Sequence, residues 1–415
     1  MNNNLIPSLR FDGFFSALQP YQLIELSEDG LSNGVFNDTK LVGSGYRLIN
    51  VKDMYIGNRI NVDELTLLNI GEKEFKRNQV KYGDIFFTRS SIVPDGIAYS
   101  NVNLSYADDL TFDGHLMRMS PNLDLVVPAY LSAKLKTWTM RKRLISRGKQ
   151  STMTTIGQSD ISDLLVEIPT IDEQQKIADF LTSVDTKISQ LTEKHCLFKE
   201  YKKGVMQQIF SQKIRFKDEN GNAFPEWGAK HFCDVFTRVT TKNKEYNENV
   251  LTISAQKGLV SQLEYFNKSV AAKDVSGYYL LHKGDFAYNK SYSQGYPMGA
   301  IKPLKRYEKG VVSTLYICFR PKAKFSDAYF EQFFDAGMLN REIAKVAQEG
   351  ARNHGLLNVS VKEFFDDIKL TVPTLDEQKK IAQFLQSIDT KIEGVAEQIE
   401  QTKQFKKGLL QQMFV

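Results

Sequence analysis

The stretch before residue 150 carries positive charge without any opposing negative charge. Its seven cations, called here the basic tract, are Lys134, Lys136, Arg141, Lys142, Arg143, Arg147 and Lys149. No Asp or Glu lies between Asp124 and Asp160. Ammonium and guanidinium groups clustered in this way suit contact with phosphate groups, although a charged helix face in solvent is the alternative interpretation. The basic tract therefore indicates a candidate surface for a polyanion.

Sequence motifs for catalysis are missing from this chain. The pair Gly148-Lys149 lacks the spaced glycine and the following hydroxyl of a nucleotide-binding P-loop. No Asn-Pro-Pro-Tyr type of sequence for amino methylation occurs. Cys196, Cys233 and Cys318 are far apart and the histidines are scattered, so neither a zinc site nor a disulfide framework is indicated. We expect a non-catalytic chain with reduced cysteines, no bound metal and no cofactor of its own.

Two long helices, predicted from an internal repeat, must position the charged groups. Residues 169–210 return at 373–414, 204 residues later, with about half of the aligned positions identical. Each copy opens with a Thr-x-x-Glu sequence, at Thr170 and Thr374, which predicts a capping box at the start of a helix. Apolar residues then recur with the four-three spacing of a coiled-coil seam. Each helix should run about 39 residues, or roughly 58 Å.

The charges at the helix ends favour antiparallel pairing of the two helices. Acidic residues lie near each start, and lysine pairs lie near each end, at 202–203 and 406–407. A parallel pair would stack the lysines, whereas an antiparallel pair sets lysines against acids and opposes the helix dipoles. Aromatic residues beside the seam widen the apolar face, which predicts contacts to further helices through Phe180, Tyr201, Phe384 and Phe405.

The segments before the two helices are similar enough to be diverged copies of one domain. Gly83-Asp84 corresponds to Gly284-Asp285, and short β-type runs surround each pair. A helix is predicted near the end of each copy, starting around Pro128 and Ser326. We expect an α+β fold in five parts: a lead segment (1–16), a first module (17–160), a first helical region (161–212), a second module (213–365) and a second helical region (366–415).

The composition is that of a globular chain. Of 415 residues, 42% are hydrophobic and 25% are charged. The net charge of +5 permits a polyanionic partner without requiring one. The first residues lack the pattern of a signal peptide, and no apolar run approaches the roughly 20 residues of a membrane helix. We expect a cytoplasmic protein.

The helical repeat resembles the specificity subunit of type I restriction-modification systems. The sequence P-x-x-[DE]-E-Q-x-K-I-A-x-F-L-x-x-[VI]-D-x-K-I occurs twice, and each copy trails into Lys-Lys-Gly and Gln-Gln. The resemblance implies two target recognition domains, separated by an antiparallel coiled coil, that bind double-stranded DNA at a bipartite, asymmetric site. It also implies two modification (methyltransferase) subunits and restriction (translocase/nuclease) subunits as partners. S-adenosylmethionine, ATP and Mg²⁺ would then be bound by those partners.

If the resemblance holds, we expect the residues that contact DNA bases to lie on loops that follow strands. Arg or Lys suits guanine, Asn or Gln suits adenine, and apolar or hydroxyl groups suit thymine methyls. Arg89 and Lys290 follow the shared Gly-Asp at matching places, so we predict that both contact DNA. The full set of candidate DNA-contacting residues is Thr88, Arg89, Ser90, Ser91, Arg143, Arg147, Lys149, Gln150, Ser151, Asn289, Lys290, Ser291, Gln294, Arg352, Asn353 and His354.

Two other functions stay open from the residues alone. A structural coiled-coil adaptor would show no sequence-selective DNA binding even with its partners present. A self-contained nuclease or methyltransferase with divergent motifs would act on DNA without partners.

Overall fold

The chain folds into two compact units, each built from both halves of the sequence. The structure, a computed structural model, describes residues 7–150, 152–254, 257–266, 274–347 and 357–414. Unit 1 comprises Met1–Glu193 with Ala396–Val415, and unit 2 comprises Lys194–Val395. The unit boundaries cross both long helices, so each unit contains one part of each helix.

Unit 1 alternates short strands and short helices along the chain. Its strands are β1 (Gln19–Gln22), β2 (Ser27–Asn33), β3 (Val42–Ile49), β4 (Thr66–Leu68), β5 (Ile85–Thr88), β6 (Ser90–Ser91), β7 (Ser100–Val102), β8 (Leu110–Phe112), β9 (Leu116–Pro121), β10 (Lys149–Gln150), β11 (Thr154–Thr155) and β12 (Leu165–Ile168). Its helices are α1 (Glu72–Asn78), α2 (Pro128–Leu135), α3 (Trp138–Ile145), α4 (Gln158–Ser162) and the first part of α5 (Ile171–Phe210). Four strands form an antiparallel sheet in the order β2-β9-β5-β7, and β4-β3-β8 form a second sheet.

Unit 2 repeats the central sheet of unit 1. Its helices are α6 (Phe232–Val235), α7 (Gln262–Phe266), α8 (Asp327–Asp335), α9 (Asn340–Val346), α10 (Val361–Asp366) and the first part of α11 (Leu375–Met413). Its strands are β13 (Gly228–His231), β14 (Phe236–Arg238), β15 (Leu251–Ser254), β16 (Gly258–Ser261), β17 (Tyr279–His282), β18 (Phe286–Asn289), β19 (Ala300–Pro303), β20 (Lys309–Val312), β21 (Ile317–Pro321) and β22 (Lys369–Val372). The antiparallel order β14-β21-β18-β19 matches that of unit 1 strand for strand. The prediction of two pseudo-repeated α+β modules is confirmed.

The central strand of each sheet separates two hydrophobic cores. In unit 1, Ile85 and Phe87 of β5 face one core and Phe86 faces another. In unit 2, Phe286 and Tyr288 of β18 face one core, and the residue between them faces the other. Because successive side chains of a strand point to opposite faces, both strands carry apolar residues at their first three positions, and each ends in a polar residue, Thr88 or Asn289.

The two long helices run in opposite directions, as predicted. Helix α5 has 40 residues and α11 has 39. In unit 1, Leu181 near the start of α5 shares a core with Leu409 near the end of α11. In unit 2, Ile209 near the end of α5 shares a core with Leu385 near the start of α11. The antiparallel coiled coil is therefore confirmed within each unit.

Lysines at the helix ends meet acids, but not those of the first turns. In unit 1, Nζ of Lys406 lies 2.5 Å from Asp185, and in unit 2, Nζ of Lys202 lies 2.6 Å from Asp389. All four side chains stand at matching places of the repeat, since 204 residues separate Asp185 from Asp389 and Lys202 from Lys406. One ion pair in each unit therefore fixes the register of α5 against α11.

The glutamates of the predicted capping boxes bind arginines instead. Both carboxylate oxygens of Glu173 accept hydrogen bonds from Arg10, at 2.8 and 2.5 Å. Both oxygens of Glu377 accept from Arg215, at 3.1 and 2.9 Å. Arg10 belongs to a Leu-Arg-Phe segment just before the first module, and Arg215 belongs to an Ile-Arg-Phe segment at the start of the second. The two glutamates therefore hold the chain entering each module against a long helix, a role that helix-start patterns alone could not reveal.

The next residue of each repeat joins its helix to the module. The side-chain oxygen of Gln174 accepts the backbone N–H of Val127, at 3.0 Å, one residue before α2. The side-chain oxygen of Gln378 accepts the backbone N–H of Ser326, at 2.9 Å, one residue before α8. Both glutamines are fully buried. Since a buried amide needs its hydrogen-bond partners, each pair fixes the module on its helix.

Candidate nucleic-acid interface

The shared Gly-Asp pair forms the turn that leads into each central strand. Gly83 and Gly284 adopt φ values of +93° and +89°, a left-handed conformation that favours glycine. The buried carboxylates of Asp84 and Asp285 accept backbone N–H groups three residues upstream, at 2.9 and 2.8 Å. Burial raises the pKa of Asp84, and the hydrogen bonds to its carboxylate oppose that shift. The Gly-Asp pair is thus structural, and it aims the strand whose far end carries the candidate DNA contacts.

Arg89 and Lys290 occupy equivalent backbone positions at those strand ends. The carbonyl of Arg89 accepts the N–H of Ile156, at 3.1 Å, and the carbonyl of Lys290 accepts the N–H of Leu357, at 3.0 Å. In both units the donor belongs to the segment that precedes the long helix. The predicted match between these two cations is confirmed as a match of position.

In unit 1, Arg89 lines an open cleft of about 780 Å³. Three chain segments that are distant in sequence meet there: the end of β2, the turn before β9 and the hairpin before α4. Arg89 and Lys149 bring two exposed cations, and Asn33 and Ser90 bring hydrogen-bonding groups. The side chain of Phe36 is 79% exposed at the rim. The cleft can therefore bind a negatively charged ligand and read polar and apolar edges on it.

His115 in this cleft is held by a buried carboxylate. Asp113 accepts the backbone N–H of His115 at 2.7 Å, and its Oδ1 lies 2.8 Å from the ring Nδ1. The other oxygen of Asp113 accepts Nδ2 of Asn37 at 2.9 Å. With Nδ1 facing the carboxylate, Nε2 is the ring nitrogen left for a ligand.

A small polar sheet beside the cleft gathers several predicted residues. Strands β10, β11 and β6 pair so that Lys149 and Gln150 lie opposite Thr155 and Thr154, which in turn lie opposite Ser90 and Ser91. Local sequence shows no link between residues 90–91 and 149–150, and the sheet register brings them together. Ser151 lies outside the described residues.

Three predicted residues of unit 1 hydrogen-bond to backbone carbonyls of their own chain. Thr88 is fully buried, and its hydroxyl donates to the carbonyl of Gly96 at 2.7 Å. Arg143 donates to the carbonyl of Leu165, and Arg147 donates to the carbonyl of Asp160 at 2.6 Å. The buried Thr88 therefore leaves the set that we propose for DNA contact, whereas Arg143 and Arg147 are partly exposed and stay predictions.

The basic tract is also less free than its sequence indicates. The guanidinium of Arg141 donates to the carbonyls of Asp95, Ile97 and Ala98. Lys136 donates to the carbonyl of Asn58, and burial lowers its pKa to about 8. These partners are backbone carbonyls from distant segments, so a search for acids in the sequence could not find them.

In unit 2, Lys290 lines a smaller cavity of about 130 Å³ with Arg238 and Thr314. Asn289 uses its side-chain oxygen to accept the N–H of Ser291 at 3.1 Å, which shapes the loop. Gln294 is exposed at the tip of a turn with Gly295, whose φ is +84°. Of the predicted residues in this unit, Arg352, Asn353 and His354 lie outside the described residues.

The aromatic residues predicted to contact partners fall into two pairs. Phe180 packs edge-on against Phe11, with ring centroids 5.7 Å apart, and Phe384 packs against Phe216 at 5.5 Å. These two rings are half-covered by their own chain. Tyr201 and Phe405, which match in the repeat, are 53% and 55% exposed.

The part of the chain that the structure describes offers neither a metal cluster nor a membrane-spanning helix. No group of three His, Cys, Asp or Glu side chains there could hold a metal ion. Every described helix is too short or too polar to cross a bilayer.

Two repeated modules each carry cations around a cavity at the end of the central strand, so the chain has two related candidate surfaces. The family described as type I restriction modification DNA specificity domain matches residues 42–195 and 226–404. Because these matches include most of the sequence, the chain belongs to this family.

Individual relatives agree with the family match. The provisionally named type I restriction enzyme MjaX specificity subunit of Methanocaldococcus jannaschii is 21% identical over 375 residues, which are 85% of this chain and 83% of the relative. The type I restriction enzyme EcoBI specificity subunit of Escherichia coli is 28% identical over 151 residues, 35% of this chain and 30% of the relative. A crystal structure of a type I restriction-modification system S subunit from M. genitalium covers 99% of both chains with a TM-score of 0.57 and 14% identity, so the two share a fold.

Proposed function

We infer that this chain is the non-catalytic DNA-specificity subunit of a type I restriction-modification complex. The observation that carries this inference is the family match to both modules, together with the equivalent cations at the ends of β5 and β18. A bipartite DNA site follows, with one half contacted by each unit. Because the residues around the two clefts differ, the two half-sites should have different sequences.

In unit 1, the cleft supplies two kinds of DNA contact. Lys149 and Gln150 on the small polar sheet suit the phosphate backbone, which positions the protein without reading sequence. Arg89 suits guanine, and Asn33 suits adenine, through hydrogen bonds to base edges in the major groove. His115 is held by Asp113 through Nδ1, so Nε2 suits a hydrogen bond to a base edge.

In unit 2, Lys290 and Arg238 take the place of the cations of unit 1. Gln294, at the tip of an exposed turn, suits adenine. Ser291 contributes a hydroxyl in the same loop. Arg352, Asn353 and His354 remain candidates by sequence alone.

Partner subunits supply the chemistry. We propose that two modification subunits dock on the paired helices, with Tyr201 and Phe405 as matching exposed contacts and Phe180 and Phe384 contributing their uncovered faces. Restriction subunits would join that complex. S-adenosylmethionine, ATP and Mg²⁺ would be bound by these partners and not by this chain.

The test is methylation mapping in cells that carry the modification subunit with or without this chain. A bipartite, asymmetric methylated motif that appears only with the chain is the expected result. Methylation that is the same without the chain would contradict the proposal and favour the structural adaptor. Methyl transfer or cleavage by the purified chain alone would contradict its non-catalytic role.

A further inference from the structure

The loop that leaves the unit 1 cleft ends in two exposed apolar residues. Ile92 is 85% exposed and Val93 is 59% exposed. They follow β6, the edge of the small polar sheet, and so lie three and four residues beyond Arg89. Two adjacent β-branched side chains at this tip are left largely uncovered by their own chain, so they offer a small apolar surface to a ligand.

The tip is held in place by hydrogen bonds. The N–H of Val93 donates to Oγ of Ser91 at 3.3 Å, and the N–H of Gly96 donates to the carbonyl of Val93 at 3.0 Å. The carbonyl of Gly96 accepts the hydroxyls of Thr88, at 2.7 Å, and Tyr55, at 3.1 Å. The apolar side chains are therefore presented on a fixed loop, which lowers the ordering cost of binding a ligand.

Gly96 makes this arrangement possible. A Cβ at this position would lie 2.2 Å from Oγ of Ser91, the same hydroxyl that accepts from Val93. No side chain fits there without moving Ser91. The close approach of the two ends of the loop therefore depends on a glycine.

The ligand must combine negative charge with small apolar groups. Arg89 and Lys149 line the adjoining cleft and favour a polyanion. In the major groove of duplex DNA, the exposed apolar group is the C5-methyl of thymine, which lies among base edges that bind Arg and Asn. We propose that Ile92 and Val93 contact a thymine C5-methyl in the half-site bound by unit 1, an inference that rests on the proposed function.

The matching loop of unit 2 has a different tip. The chain between β18 and β19 carries Gln294 and Gly295 there, after Lys290 at the position of Arg89. An amide at the tip suits adenine rather than a methyl group. The tip of the loop is thus apolar in unit 1 and carries an amide in unit 2, where the exposed ring of Tyr292 lies between Lys290 and that tip.

The test uses the assembled complex with its modification subunit and a duplex that carries the mapped site. The unit 1 half-site is assigned beforehand by exchanging residues 17–160 for those of a relative. Each thymine of that half-site is then replaced, one at a time, by deoxyuridine, which lacks only the methyl group. One replacement should weaken binding by the wild-type complex about four-fold, the effect of removing one buried methyl group.

The variant with Ile92→Ser and Val93→Ser should bind the thymine duplex more weakly and lose the response to deoxyuridine. Leu123→Ser is the matched control, because Leu123 is also exposed but lies beside Gly83, at the other end of β5. This control should respond to deoxyuridine as the wild type does. Equal thermal unfolding of all three proteins verifies that they fold.

Three results would overturn the inference: a unit 1 half-site without any A·T pair, a wild type indifferent to every replacement, or a double variant as sensitive as the wild type. In all three, sequence-selective binding persists and the proposed function stands. Absence of any sequence-selective binding by the wild-type complex would instead contradict the proposed function itself.

Discussion

In unit 1 the chain after the central strand passes from Arg89 to the exposed Ile92 and Val93, whereas in unit 2 it passes from Lys290 to a turn at Gln294. The structural elements that carry these loops, called here the frame, are the same in both units. Strand order, the Gly-Asp turn, the buried glutamate–arginine pairs and the buried glutamines all recur. The outer sheets differ, since unit 1 has the three-stranded β4-β3-β8 and unit 2 has the pairs β15-β16 and β17-β20, and the loops after the central strands differ in residue type. The two units therefore share the position of the cation after the central strand, and they differ in the residue types of the loop that follows it.

The largest expected effect concerns the frame. Glu377→Ala removes a fully buried carboxylate that binds Arg215 and Nε1 of Trp227. Because Arg215 keeps its backbone carbonyl partners, unit 2 should lose about 3 kcal/mol of local unfolding free energy, the low end for breaking a buried pair. Hydrogen exchange resolved by unit measures this loss.

Glu173→Ala should act in the same way on unit 1 and leave unit 2 unchanged. Glu219→Ala, an exposed carboxylate close to Arg215 in sequence, is the control and should change neither unit by more than about 0.5 kcal/mol. If either substitution lowered the local unfolding free energy of both units equally, the two units would not be stabilised independently, contrary to our expectation.

The next effect concerns the matching cations. Arg89→Ala should cost about 1–3 kcal/mol of binding to the cognate site and relax selection in one half-site only. Lys290→Ala should relax sequence selection in the other half-site. Binding of the assembled complex across a salt series measures both. An unchanged affinity together with an unchanged salt slope would show that the cation does not contact DNA.

Lys142→Ala is the matched control for these cations. Lys142 belongs to the basic tract, but its ammonium lies 5.1 Å from the ring centre of Trp138 and outside the cleft. Its removal should leave selection in both half-sites as in the wild type.

A smaller effect is expected from the ion pairs between α5 and α11. Lys406→Ala in unit 1 and Lys202→Ala in unit 2 should each lower local unfolding free energy by about 1 kcal/mol, since these pairs are only partly buried. In unit 1, exchanging the charges through Asp185→Lys with Lys406→Asp should recover part of the loss. A cycle of single and double variants without any coupling would contradict a direct interaction.

The smallest effect concerns alkaline pH and distinguishes the units again. Burial, with a smaller contribution from the nearby Lys406, lowers the pKa of Lys136 in unit 1 to about 8. Burial also lowers the pKa of Lys302 in unit 2, but Asp335 and Tyr296 outweigh burial and raise it. Between about pH 8 and 10.5, the unfolded chain keeps a proton that folded Lys136 releases, so this residue makes unit 1 more stable as pH rises.

Lys302 changes the stability of unit 2 in the opposite direction. Its contribution to stability is present below the pKa of the unfolded chain, and it is lost as pH rises through the pKa of Lys302 in the folded protein. Lys136→Met should flatten the alkaline slope of unit 1 and leave that of unit 2 as it is. Unit-resolved hydrogen exchange at several pH values measures the slopes, and an unaltered slope in unit 1 would contradict the assignment.

Local patterns were enough to predict the long helices and the pairing of two related modules. The repeat at 169–210 and 373–414 encodes the long helices, because heptad spacing and helix-end charges are properties of consecutive residues. Matching strands after Gly83-Asp84 and Gly284-Asp285 follow from the same kind of evidence. The helices begin directly after Thr170 and Thr374, as predicted, but the binding of Glu173 and Glu377 to arginines from a separate stretch of chain was not predictable from the helix-start pattern.

The candidate site was only partly predictable. Arg89, Lys149 and Gln150 were found because their residue types stand out, whereas Asn33 and His115 were missed. Their segments meet only through the pairing of β2 and β5 with β9, which a single sequence does not display. For the same reason, the carbonyl partners of Arg141 and Arg147 could not be found from sequence, and the basic tract seemed freer than it is.

The central claim is that each unit reads its own half of one bipartite site. Methylation mapping tests it directly, in cells where residues 17–160 of this chain have been exchanged for those of a relative and the modification subunit is unchanged. The account predicts that one half of the methylated motif changes and the other half stays the same. A motif that changes in both halves, or in neither, would contradict it.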